Sequence, residues 1–91
     1  MVEGYTAECF WPGVTPGDVE LLDRRLAGVV DDADPSEGPV RYLGCLLLRE
    51  DEVVLCRFAG ARSSIEDVAL RARVPYERLL ATLATADRAP A

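Results

Sequence analysis

The sequence predicts an α+β fold in a single domain, and three observations carry that reading. Two stretches with helical apolar spacing each follow a capping signal, and four runs of β-forming residues flank them. The chain has 91 residues, enough for one core and too few for two. Hydrophobic residues make up 49% and charged residues 29%, the balance of a chain that folds.

The elements follow in order. Residues 5–11, YTAECFW, mix aromatic, β-branched and small side chains and then meet Pro12-Gly13, so a strand ends there in a turn. In Thr15-Pro16-Gly17-Asp18, Thr15 is an N-cap, Pro16 suits the first helical position, and Asp18 completes a capping box. The helix behind it sets Val19, Leu22, Leu26 and Val29 on one face, with Asp18, Asp23 and Arg24 largely off it. Residues 31–39, DDADPSEGP, form an exposed loop; the acidic group Asp31, Asp32, Asp34 and Glu37 lacks the spacing of a calcium loop and reads as solvated. Residues 40–48 are almost continuously apolar, the sequence REDE supplies a turn, and residues 53–59 resume with β-formers, giving a hairpin. Ser63 with Glu66 offers a second capping box for a helix carrying Ile65, Val68, Ala69 and Ala72, which Val74-Pro75 ends. Residues 78–83 form a last strand, and the tail from Asp87 to Ala91 frays.

The order β-α-β-β-α-β, with right-handed crossovers, gives a ferredoxin-like sandwich spanning residues 1–91: a four-stranded antiparallel sheet with both helices on one face. The other face is then bare. A largely apolar bare face is an association surface, so the sequence predicts a homodimer in which two sheets pack into an α+β barrel.

Charge and composition narrow the function. The net charge is −6, and the ten basic residues, all arginine, are scattered along the chain, which argues against nucleic acid as a partner. No stretch approaches the roughly 18 apolar residues that cross a bilayer, and no charged leader precedes an apolar run, so the expectation is a cytoplasmic protein without a membrane partner. Histidine is absent, which removes the commonest general base and nitrogen metal ligand. Cys9, Cys45 and Cys56 show no CxxC spacing and are odd in number, unlike a secreted disulfide framework or a structural zinc site.

Strand alternation selects the candidate site residues. Thr6, Glu8 and Phe10 share one face of the first strand, and Ala7, Cys9 and Trp11 the other. In the third strand Val54, Cys56 and Phe58 form an apolar set suited to the helices, which leaves Arg57 on the open face with Glu8. Glu8 and Arg57 can meet there, either as a site that orients a polar ligand or tunes a carboxylate, or as a structural ion pair at the dimer interface. Cys9 and Cys56 read as buried thiols; Cys45 has no assigned phase because its strand is apolar on both faces. Trp11 and Tyr42 either line a ligand cavity or belong to the core or interface.

The segments ECFWPGVTPGDV, VRYLGCLLLREDEVVLCRFAG and PYERLLATL resemble a family of small actinobacterial proteins, a domain of unknown function that includes a nickel-responsive, nickel-binding member. The likeness spans most of the chain. It implies a ferredoxin-like fold, dimerisation through the sheet, and nickel as a possible cofactor. The family pattern has serine where this chain has Cys45 and tends to have cysteine at Cys56, and nickel held by imidazole does not carry over to a chain without histidine.

Together these readings give a small dimeric binding protein for a metal ion or small organic molecule at the sheet face or barrel, with Glu8, Trp11, Tyr42, Cys45 and Arg57 as candidate ligand-binding residues. The alternatives are a cofactor-free isomerase or cyclase, with Glu8 as acid or base and Arg57 or Tyr42 polarising a carbonyl, and an accessory subunit of a larger enzyme.

Overall fold

In a computed structural model that describes residues 2–34, 36 and 38–85, the elements are β1 (Val2–Phe10), α1 (Pro16–Asp32), β2 (Val40–Leu48), β3 (Val53–Gly60), α2 (Arg62–Arg71) and β4 (Arg78–Ala84). Glu37 and the tail from Asp87 to Ala91 lie outside the described residues. The strands form one antiparallel sheet in the order β2-β3-β1-β4. That order follows when two β-α-β units interleave, and it is the arrangement of a ferredoxin-like sandwich. No helix among the described residues is long and apolar enough to cross a membrane.

The first helix begins where its cap dictates. The Thr15 hydroxyl accepts from the Asp18 amide at 3.2 Å, and an Asp18 carboxylate oxygen accepts from the Thr15 amide at 2.9 Å, while Pro16 fills the position whose N–H has no helical partner. Leu22 and Leu26 are fully buried, with Val19, Val29 and Val30 packed around them. β1 starts three residues before the predicted strand, because Val2, Glu3 and Gly4 find backbone partners in Ala84, Leu83 and Thr82 of β4.

The second helix departs from the predicted cap. Ala61, not Ser63, is its N-cap, with no side-chain hydrogen bond, and the Ile65 amide closes the first turn on the Ala61 carbonyl at 3.0 Å. Glu66 is engaged instead by Arg62 one turn earlier, at 3.4 Å. The earlier start is set by packing: Ile65, Val68, Ala69 and Ala72 are all buried against the sheet.

This helix ends by backbone chemistry. Val74 N–H reaches the Ala69 carbonyl and Arg73 N–H the Leu70 carbonyl, at 2.9 and 3.1 Å, a Schellman closure with Arg73 at φ 57°. From α1, Arg25 Nε adds a 3.0 Å bond to the Ala72 carbonyl. Arg73 is exposed, so its left-handed backbone is strained with nothing lost by shortening the side chain. Replacing Arg73 with glycine is expected to raise stability by about 0.5–1 kcal/mol, read as a higher urea midpoint at unchanged slope; a lower midpoint would contradict this account of the cap.

The core lies between the helices and one face of the sheet. Ala7 and Cys9 of β1, Val54, Cys56 and Phe58 of β3, and Leu79 of β4 supply the sheet side. The alternation expected for β1 and β3 is therefore observed, with Cys9 and Cys56 among the helices and Glu8 and Arg57 on the opposite face. The Arg49–Glu52 turn joins Leu48 to Val53 as a hairpin, and Glu52 ties it to the β1–α1 corner. Its carbonyl accepts from the Trp11 amide at 2.8 Å and its carboxylate from the Gly13 amide at 2.6 Å.

Candidate functional site

Two groups of chemically active side chains stand on opposite faces of the sheet. The five sequence candidates therefore do not share one cavity: Glu8 and Arg57 are on the bare face, whereas Tyr42, Cys45 and Trp11 are on the helix side.

On the bare face, the expected meeting of Glu8 with Arg57 does not occur. Strand register decides this: Glu8 stands opposite Leu55, and Arg57 opposite Thr6. On its other side, Glu8 is opposite Arg78 of β4, whose Nε and Nη2 both donate to one Glu8 carboxylate oxygen at 3.0 and 2.6 Å. Arg57 donates from Nη2 to the Leu43 carbonyl at 3.0 Å, and its remaining N–H donors have no partner among the described residues.

Beside Arg57 lies a small hollow of about 120 Å³, bordered by Glu3, Gly4, Thr6, Leu43 and Thr82. A wider hollow of about 610 Å³, also bordered by Gly4 and Thr82, reaches the end of the sheet near Gly60 and Ala61. The bare face around the smaller hollow is apolar. Phe10, Leu46 and Leu48 are 53%, 46% and 40% exposed, and Val53, Leu55 and Leu80 are half-buried among them. Glu8 is the one acidic side chain that strand register places on this face among the described residues. Such a surface can hold a small, mainly apolar molecule and fix one acidic or carbonyl group through the guanidinium.

The second group runs as a chain under the helices. Asp23 of α1 accepts a hydrogen bond from the Tyr42 hydroxyl, which lies 2.9 Å from Cys45 Sγ. Cys45 Sγ lies 3.2 Å from Cys56 Sγ, directly across the β2–β3 ladder, and Cys9 contacts Cys56 from β1. Burial and the bond to Asp23 push the Tyr42 phenol far above its ordinary range. The neighbouring Cys56 thiol, reinforced by Tyr42, holds Cys45 below the usual thiol range, whereas its bonds to Cys45 and Cys9 and its burial push Cys56 up.

A β-bulge brings Tyr42 and Cys45 together. Tyr42 pairs with Phe58 and Gly44 with Arg57, so Leu43 is an extra residue on β2, and two side chains three positions apart point to the same face. Gly44 takes φ 101°, a conformation that other residues rarely adopt. This settles the phase of Cys45, and the isolated glycine in an apolar strand was its sequence signal. Two participants have no such signal: Arg78, whose pairing with Glu8 depends on register, and Asp23, which the helical pattern turns away from the core. Trp11 packs against the core from the end of β1.

The acidic loop has its own internal partner. Asp34 accepts from the Ser36 amide and hydroxyl at 2.9 and 2.8 Å, and these bonds, the backbone one foremost, hold its carboxyl below the usual range. Among the described residues no group of three or more Cys, Asp or Glu side chains is placed to hold a metal ion. No known family, no curated protein and no solved structure matches the chain.

Proposed function

We propose that the protein is a homodimeric binding protein whose bare sheet faces pack against each other and enclose a small organic ligand bearing an acidic or carbonyl group. The apolar bare face around Arg57 is the observation that carries this reading. A sheet covered by helices on one side only leaves apolar surface in water, and a second copy removes it. A second copy also suits the charge. Although the chain has net charge −6, the acidic residue that strand register places on this face among the described residues is paired in place with Arg78, so that carboxylate is already neutralised where two faces meet. A small organic ligand fits this setting better than nickel, given the donors present. The isomerase reading needs Glu8 as acid or base, and there a substrate must compete with Arg78 for the same carboxylate oxygen.

Sedimentation of the full chain at micromolar concentration is expected to give a dimer. The double substitution Leu46→Glu, Leu55→Glu is expected to give a folded monomer with an unchanged circular dichroism spectrum. The aromatic sulfonate dye anilinonaphthalene sulfonate serves as a probe of the cavity, and Arg57→Ala is expected to weaken its binding about tenfold, the value of a charge-assisted hydrogen bond. A chain that stays monomeric throughout the micromolar range would overturn the homodimer, and would favour a different chain on this face, as in the accessory-subunit reading. Unchanged dye affinity in Arg57→Ala would overturn its role in the cavity.

A further inference from the structure

The thiol chain under the helices plays no part in the proposed binding site. We propose that Cys45 and Cys56 form a redox-active dithiol that a hydroperoxide closes into a cross-strand disulfide. The two sulfurs are 3.2 Å apart on residues directly paired across β2 and β3. Opposed residues in an antiparallel pair have Cα atoms about 4.5–5.5 Å apart, inside the roughly 4.4–6.8 Å span of disulfides. Closure therefore needs side-chain movement and no change of register.

The surroundings assign the two thiols different roles. Cys45 is half-buried, whereas Cys56 and Cys9 are fully buried, so an oxidant entering from solvent meets Cys45 first. The Tyr42 hydroxyl lies within hydrogen-bond reach of both the Asp23 carboxylate and Cys45 Sγ, and its one proton can turn from Asp23 to a Cys45 thiolate as that forms. The direction of the Cys45 shift agrees with its role as nucleophile.

In the first step the Cys45 sulfur attacks the hydroperoxide, the O–O bond breaks, and the thiol proton ends on the departing alkoxide. The products are the Cys45 sulfenic acid and an alcohol, or water from hydrogen peroxide. In the second, Cys56 sulfur attacks the sulfenic sulfur, the S–O bond breaks, and the Cys56 proton leaves with hydroxide as water. Two thiols have lost two electrons in total, and the hydroperoxide has gained them.

The test exposes the reduced full-length chain to a modest excess of hydrogen peroxide. Free thiols are expected to fall from three to one, and the intact mass to drop by two hydrogens. Fragment mass spectrometry should join Cys45 to Cys56, and dithiothreitol should reverse the change. Cys9→Ser is expected to retain the cross-link and Cys45→Ser to abolish it. The wild-type fragment map decides the matter even if a variant folds poorly. Three surviving thiols, a Cys45 that stops at the sulfinic acid uncross-linked, or a bridge between Cys9 and Cys56 would each overturn the proposal.

Discussion

Replacing Phe58 with alanine is expected to cost about 3–5 kcal/mol of folding free energy, out of a total of roughly 5–15 kcal/mol for a domain of this kind. Phe58 is 1% exposed and heads the fully buried side chains by volume. It sits on β3, an interior strand of the sheet, between Tyr5 of β1 and Tyr42 of β2. Its ring lies 5.6 Å from the Tyr42 ring at a tilt of 43°. Truncation removes apolar area and that ring contact together and leaves a cavity that three strands must relax around. Urea unfolding followed by circular dichroism is the measurement, with a much lower midpoint expected at nearly constant slope. A loss below about 1 kcal/mol would show that the site collapses freely and that Phe58 does not hold the core.

Gly60→Ala is expected to cost about 2–4 kcal/mol, even though it adds a single carbon. Two effects act at once. The backbone has φ 133°, where side-chain-bearing residues are rarely found, and a Cβ built there would stand 2.6 Å from the Pro39 carbonyl oxygen. The obstacle is backbone, so no rotamer change relieves it; the Gly60 to Val40 pairing must open instead. Amide hydrogen exchange would locate the damage, with protection lost first at the Val40 end of the hairpin. A midpoint equal to that of the unsubstituted chain would refute both the strain and the clash.

What the sequence disclosed was the information written locally. Thr15, Pro16 and Asp18 mark a helix start by chemistry confined to a few adjacent residues, and alternation in β1 and β3 is decided by side chains that differ sharply between faces. Ser63 and Glu66 carry the same local signal, yet the helix starts earlier, because seating Ile65 and Ala69 on the sheet outweighs a cap of about 1 kcal/mol. Glu8 was legible as a charged residue on the bare face. Its partner was not, since both Arg57 and Arg78 belong to strands beside β1 and only register separates them. In β2 both faces are apolar, so hydrophobicity gives no phase, and the thiol pair that Cys45 makes stays hidden until Gly44 is understood as part of a bulge.

That bulge leaves β2 one residue longer than the stretch of β3 with which it pairs. Leu43 separates two stretches of opposite parity: ahead of it Tyr42 faces the helices, and beyond it so do Cys45 and Leu47. A deletion of Leu43 restores simple alternation and keeps each paired residue on its present face, with Tyr42 opposite Phe58, Gly44 opposite Arg57 and Cys45 opposite Cys56. What the deletion removes is the Leu43 carbonyl, which accepts from Arg57 Nη2 at 3.0 Å. A substitution at Leu43 keeps that carbonyl. The extra residue therefore serves Arg57 through its backbone, and the order of the side chains turned toward the helices is independent of it.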